Sequence, residues 1–464
     1  MHDPATHVLS NSFLDDPQPT QRIETRYRRI VTPLPVPESL AILRRGAAVL
    51  PQVNCYQPPV VWDRAEGFQV FDAWGNCWID FTSTAVLANA GHGHPKIRQA
   101  IIQHAHTGLL AQFSFASEIR IQMAEKLLEL APPHMDKVYF WTTGSEAIES
   151  AFRMARIYGM RQHPEKYHLI SFTDDYHGCT LGAHQLSGMT AGKPWLTHPD
   201  AAIHRLPFPW MGPSDTDGAP DWEAIFAADI ARCPVLPEQI AAVFIETMQG
   251  WGALPLPSPY VRALRKWADH HHVLLIFDEI QTGFGRTGYW FAHQHYDVRA
   301  DLVCVGKGIS STLPLAAVLG PTEVLDLLPP GEVTTTHAAH PLACTAALAN
   351  IEVIQQEGLL DAADRLGRII RQELQHLQAR WPDHISRVTG LGLLNAIHLS
   401  HPVTHRPDPR LARDLTNAGV RRGVMLFQVN RPTVKICPPL VIPEDAVREG
   451  VAALGEALED VVSS

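Results

Sequence analysis

The sequence predicts an α/β protein: a mostly parallel central sheet with helices on both faces, plus a smaller α+β domain. From about residue 95 onward, short apolar runs alternate with helical patterns. Such alternation means strands laid side by side in parallel, with helices covering both faces. From about residue 345 the pattern turns helix-rich, then strand-like again near Gly390–His398 and Thr433–Cys437, which marks a second unit. A length of 464 residues suits one large domain and one smaller one. The expected division is an N-terminal arm and small meander over residues 1–90, a large domain over 91–335, and a small domain over 336–464, which the first segment joins.

Residues 1 to about 40, rich in Pro, Asp, Gln and Arg, read as an arm over the surface or over a partner subunit. Residues 60–81 hold short alternating runs around a turn at Ala73-Trp74-Gly75-Asn76, which predicts a small antiparallel meander. Trp62, Trp74 and Trp78 are expected to pack it. The strands of the large sheet are predicted at Val138–Trp141, Leu169–Phe172, Ala241–Ile245, Val273–Phe277, Leu302–Val305 and Leu315–Leu319. Ligands of such sheets sit beyond the C-terminal strand ends, so the residues just after each strand carry the chemistry.

Composition excludes several classes. The formal charge is -10 and the sequence pI about 6.2, which gives no electrostatic reason to bind nucleic acid or an anionic membrane. No apolar run approaches the roughly 20 residues that span a bilayer. The seven cysteines, from Cys55 to Cys437, are odd in number and widely spaced without a CxxC, against a disulfide framework or a structural zinc site. Met1-His2-Asp3-Pro4 opens no signal peptide. A cytoplasmic protein is expected. His270-His271-His272 read as a solvated helix end, and His92 and His94 lack a third ligand at useful spacing, so no metal is expected.

Three strand ends stand out. After Trp141 comes Thr142-Thr143-Gly144-Ser145-Glu146-Ala147, in which Thr143 and Glu146 form a capping box. A Gly-Ser turn at a helix start aims backbone N–H groups at an anion. After Phe277 comes Asp278, a carboxylate at a buried strand end that calls for a cation or several donors. The glycine-dense loop Thr282–Gly288 follows. After Val305 comes Gly306-Lys307-Gly308, where a desolvated amine would lose basicity and become a nucleophile able to form a Schiff base. Singly, these are also readable as a plain cap, a structural Asp and a surface lysine. Together, an anion cup, an acid and an amine match the phosphate, ring nitrogen and aldehyde of pyridoxal phosphate.

The stretch Phe277-Asp278-Glu279-Ile280-Gln281-Thr282-Gly283-Phe284-Gly285-Arg286-Thr287-Gly288, with Gly306-Lys307-Gly308 beginning 18 residues later, resembles the signature of class III aminotransferases. Thr143–Ala147, Asp175-Tyr176-His177-Gly178, Asn89–Pro95 and Cys437-Pro438-Pro439-Leu440 are similar to further motifs of that family, and the resemblance covers roughly residues 60 to 455. It implies a fold type I transferase using pyridoxal 5′-phosphate in a ping-pong reaction from an ω-amino acid, amine or amino acid to a keto acid, pyruvate or 2-oxoglutarate. By it, Lys307 carries the cofactor, Asp278 pairs with its ring nitrogen and Gln281 contacts its 3-oxygen. Ile280 and Tyr176 cover the two ring faces. Thr143, Gly144 and Ser145 hold the phosphate. His177 and Glu246 belong to the same set. Thr336 reaches the phosphate from a partner subunit, so a homodimer or higher homo-oligomer is implied.

The chain departs from the family pattern at His340, where Asn is usual, at Thr247, where Pro is usual, and at Lys435, where many members that use ω-amino acids carry Arg. Lysine is a point charge where arginine is a fork. Trp251 and Phe113 are candidate pocket walls. Arg431, before Pro432, is a candidate movable clamp for a substrate carboxylate. Other readings are a solvated surface arginine, or a role taken by Lys435. An isomerase of the same family, an aminomutase or epimerase, keeps every residue named. A non-catalytic binding module on this fold has no need of Lys307 and Asp278 together.

Overall fold

Seven strands build the central sheet of the protein, seen in a computed structural model that describes residues 16–51, 57–189, 192–210, 220–428 and 431–463. They are β1 (Lys137–Trp141), β2 (His168–Phe172), β3 (Ile203–Leu206), β4 (Ile240–Glu246), β5 (Leu274–Asp278), β6 (Leu302–Val305) and β7 (Ala316–Gly320). Their spatial order is β1-β7-β6-β5-β4-β2-β3. All pairings from β6 to β3 are parallel, while β7 runs against both of its neighbours. The expected strands are all present. β3 was not anticipated: Ile-His-Arg-Leu is a short edge strand.

β4 and β5 are buried along their whole length. Val243 and Ile245 enter one apolar cluster and Ala242 and Phe244 another, as the two-residue period of a strand covered on both faces requires. Helix α1 (Gly144–Gln162) follows β1 and buries Ala147, Ile148, Ala151, Met154 and Ala155 against the second of these faces.

The expected meander is present as Arg64–Glu66, Gln69–Phe71 and Cys77–Asp80. Part of the arm is not draped over the surface: Ile23–Glu24 and Arg29–Ile30 extend this sheet, and Arg28 is buried beside Glu449 and Glu456. Val424–Met425 adds a parallel strand against Cys77–Asp80, tying the first ninety residues to the C-terminal segment. The arm's residues 1–15 and Cys55 lie outside the described residues. Trp78 and Trp74 pack this sheet as expected. Trp62 instead stands 37% exposed, edge-on to His92 at 6.0 Å.

A four-stranded antiparallel sheet follows: Ile385–Leu391, Leu394–Leu399, Thr433–Ile436 and Phe427–Gln428. The segment read as one strand, Gly390–His398, is the turn and second arm of a hairpin. Gly392 makes that turn at φ +51°, and a Cβ there would lie 2.5 Å from the backbone carbon of Thr287.

Candidate active site

Beyond the C-terminal ends of these strands lies a cavity of about 190 Å³. Pairing of β4 with β5 sets Glu246 directly beside Asp278. Lys307 enters from the end of β6, Gly144 and Ser145 from the start of α1, and Tyr176 and His177 from the loop after β2. Ile280 and Gln281, also expected from the sequence, line it too. Met248, Gly178 and Thr282 also line the cavity and were not anticipated.

The turn that opens α1 has the anticipated capping box. Thr143 Oγ1 accepts from Glu146 N at 3.3 Å, and Glu146 Oε2 accepts from Thr143 N at 2.8 Å. The Thr143 hydroxyl is therefore engaged in the cap, and Thr143 does not line the cavity; Gly144 and Ser145 do. Gly144 is glycine for a local reason. A Cβ on it would come within 2.9 Å of Ile280 Cδ1, so its absence lets Ile280 form the wall between Gly144 and Gly306.

Lys307 sits in the left-handed region at φ +42°, flanked by the two glycines. Burial pushes its amine down, the charge of Lys435 pushes the same way, and Asp278 and Glu246 pull against both; the result is a fall from 10.5 to about 8. Glu246 accepts from Tyr176 N at 2.6 Å and Gly250 N at 2.9 Å. Burial, reinforced by the neighbouring charges of Asp175 and Asp278, raises its carboxyl to about 8.

Asp278 Oδ1 accepts from Ile280 N at 3.0 Å and Oδ2 meets His177 Nδ1 at 2.8 Å. Burial alone would push the imidazole down, but Asp175 and Asp278 outweigh it and raise it to about 10. Asp175 was not singled out from the sequence, nor was Gln249, which donates to Asp175 Oδ1 at 2.9 Å. Tyr176 shows 46% of its surface, and Gln281 Nε2 donates to Gly250 O at 3.1 Å.

Besides Thr143, other expected residues are not among those lining this cavity. Thr336 and Phe113 line a separate one, of about 250 Å³, together with Phe115 and His340. Trp251 donates from Nε1 to Gln249 Oε1 at 2.8 Å and packs edge-on against His398. Arg431 pairs with Asp174 Oδ1 at 2.8 Å, its guanidinium 5.2 Å from the centre of the Trp251 ring. Lys435 is only 5% exposed, its Nζ 5.1 Å from the centre of the Phe427 ring, and burial lowers its amine. His92 pairs with Asp80 and His94 with Glu357. Among the described residues no group of three or more His, Cys, Asp or Glu is arranged to hold a metal ion, and no helix is long and apolar enough to cross a membrane.

The family model described as "Aminotransferase class-III" matches residues 52–458. A probable 4-aminobutyrate aminotransferase of Bacillus subtilis is 33% identical over 85% of this chain and 92% of its own length. An alanine/serine racemase of Pyrococcus horikoshii is 29% identical over 94% of each chain. Among solved structures, an amine transaminase from an uncultivated Pseudomonas species, in its PLP-bound form, superposes with a TM-score of 0.80 at 28% identity, covering 86% of this chain and 94% of the other.

Proposed function

The chain belongs to the class III aminotransferases, fold type I enzymes that use pyridoxal phosphate, and from that premise we propose that it moves an amino group from an ω-amino acid, an amine or an amino acid to a keto acid, pyruvate or 2-oxoglutarate, by a ping-pong route. The observation that carries this reading is the convergence of Lys307, Asp278 and the Gly144-Ser145 helix start on one cavity. That donor set fits the cofactor at each end. The N-terminus of a 19-residue helix suits a phosphate dianion, Asp278 would serve the ring nitrogen, and the Lys307 amine, lowered in basicity, would serve the aldehyde.

When bound, pyridoxal phosphate supplies an aldehyde to take up the amino group and a protonated ring to draw electrons from the substrate carbon. Lys307, with its amine near 8, is available unprotonated to carry the cofactor and then to move the proton at that carbon. Asp278 keeps the proton on the ring nitrogen. Ser145 and the amides of the helix start bind phosphate, and Thr143 holds that turn through its cap. Tyr176 and Ile280 would cover the two ring faces, Gln281 would meet the 3-oxygen, and Glu246 and His177 would complete the cofactor site. Arg431, with Trp251 beneath it, is the cation for a substrate carboxylate, Lys435 being the alternative for that role.

We further infer a homodimer or higher oligomer in which Thr336 serves the partner's phosphate. Its place in a second cavity beside Phe115, which is 77% exposed, supports that arrangement. A large domain over 91–335, flanked by 1–90 and 336–464, and a cytoplasmic location belong to the same reading.

The racemase relative supports a second reading, an isomerase on the same cofactor. One experiment separates the two. An aminotransferase given amine without keto acid releases about one carbonyl product per site, and turns over only when keto acid is added. Repeated inversion of an amino acid with no keto acid present would assign the isomerase instead.

A further inference from the structure

Asp175 and His177 form a buried pair behind the acid at the cavity floor. Asp175 Oδ2 and His177 Nε2 are buried, and neither has a hydrogen-bond partner among the described residues. They face one another at 3.6 Å. That is too long for a hydrogen bond, so charge is what relates them. The other side-chain polar atoms of the pair, Asp175 Oδ1 and His177 Nδ1, are fixed. Asp175 Oδ1 accepts from Gln249 Nε2, which also donates to Thr173 O at 2.8 Å. His177 N donates to Ser187 Oγ at 2.9 Å, and Nδ1 meets Asp278 Oδ2 at 2.8 Å.

We propose that Asp175 is a positioning residue that holds His177 as an imidazolium and, through it, keeps Asp278 aimed into the cavity. The inference rests on the cofactor site described above. Its logic is charge balance. A single carboxylate on an imidazolium makes a neutral pair, with little left to hold a protonated ring nitrogen. Two carboxylates on one imidazolium leave one net negative charge, and Asp278 is the member that lines the cavity. Burial favours the neutral form of both partners, raising Asp175 and pulling His177 down, so the proton has two possible homes within the pair. It belongs on His177, because His177 is flanked by carboxylates on both nitrogens and Asp175 accepts a hydrogen bond from Gln249. Among the described residues, the other titratable groups around the trio include Glu246, at the end of β4, Cys304, beside Asp278 on β6, and Lys307, after β6.

The test is histidine-selective 15N labelling of the holoenzyme and of the protein freed of cofactor, with His177 assigned from the spectrum of His177→Gln. Both ring nitrogens of His177 should carry protons at about pH 8 in the wild type. Asp175→Asn should lower the titration midpoint by at least about one pH unit, a tenfold loss of proton affinity. It should also lower kcat about tenfold with KM for the amine changed less than about threefold. A neutral wild-type His177 at that pH overturns the proposal, and so does a midpoint that Asp175→Asn leaves in place. If Asp175→Asn does not fold, Gln249→Met, which strips the donor from Asp175, should move the same midpoint downward, and an unmoved midpoint again overturns the proposal. Borohydride fixation of cofactor on the same samples is read separately. Its absence contradicts the cofactor reading, while the cofactor-free spectra still decide the role of Asp175.

Discussion

Arg431 and Asp174 form an ion pair at 2.8 Å that joins the segment before strand Thr433–Ile436 to the loop carrying Tyr176 and His177. The Arg431 side chain keeps 25% of its surface and Asp174 keeps 45%, so solvent screens the pair and its worth is about 0–1 kcal/mol. A substrate carboxylate is therefore able to compete for the guanidinium. Arg431→Ala should raise KM for the keto acid about tenfold or more, with less than about a twofold change for an amine that has no carboxylate. Equal losses on both substrates would remove Arg431 from the substrate site.

Lys307 gives a pH dependence with a defined sign. The unprotonated amine is the nucleophile, and lowering its pKa to about 8 makes it abundant at lower pH than an ordinary lysine near 10.5. The rate at which cofactor-free protein takes up pyridoxal phosphate should rise as pH passes through about 8. A rate still rising steeply above about pH 9.5 would place the amine in the range of an ordinary lysine.

Glu246 should show its burial as a stability effect. Its folded carboxyl is raised from 4.5 to about 8, so the fold favours the protonated form. The stability this contributes is complete below 4.5 and is lost as pH rises through about 8. Tyr176 N and Gly250 N donate to separate oxygens of Glu246, so Glu246→Gln removes the charge and keeps an acceptor for only one of them, a loss that does not depend on pH. The difference in Tm between Glu246→Gln and wild type, measured without cofactor, should shift in the variant's favour from about pH 5 to about pH 8. A difference independent of pH would contradict the raised carboxyl.

The shared site can be tested by mixing. Lys307→Ala and Thr336→Ala are each expected to be impaired alone. In a mixed dimer one site collects both changes, while the other has an intact Lys307 and an intact threonine from its partner. Dissociating and reassociating equal amounts of the two variants should restore about a quarter of wild-type activity, since about half of the dimers are mixed and each of those has one intact site. No recovery in demonstrably mixed dimers would count against Thr336 serving the neighbouring chain.

The parallel strands were legible because their residues are apolar on both faces, as the full burial of Ile240–Glu246 shows. The strand ends were legible for the complementary reason: Asp278 and Lys307 break such runs with a charge. β3 escaped because Ile203–Leu206 is a four-residue edge strand with two polar members. The hairpin over Ile385–Leu399 was blurred because Gly392 makes so tight a turn that the pattern hardly pauses. The pairing of Asp175 with His177 and Gln249 had no local signal. It joins a loop residue to one 74 positions away, which folding alone brings together. Thr143 was ambiguous from the start, since one hydroxyl serves equally as a cap or as an anion donor, and here it is the cap.

The central claim is that Lys307 carries the cofactor, and chemical fixation tests it most directly. Reduction of the holoenzyme with borohydride, followed by peptide mapping, should place the added mass of the reduced cofactor on Lys307 alone. Lys307→Ala should lose that adduct, the absorbance of the bound cofactor and all turnover. The same mass on another lysine of the wild-type chain, or wild-type turnover by Lys307→Ala, would contradict the account.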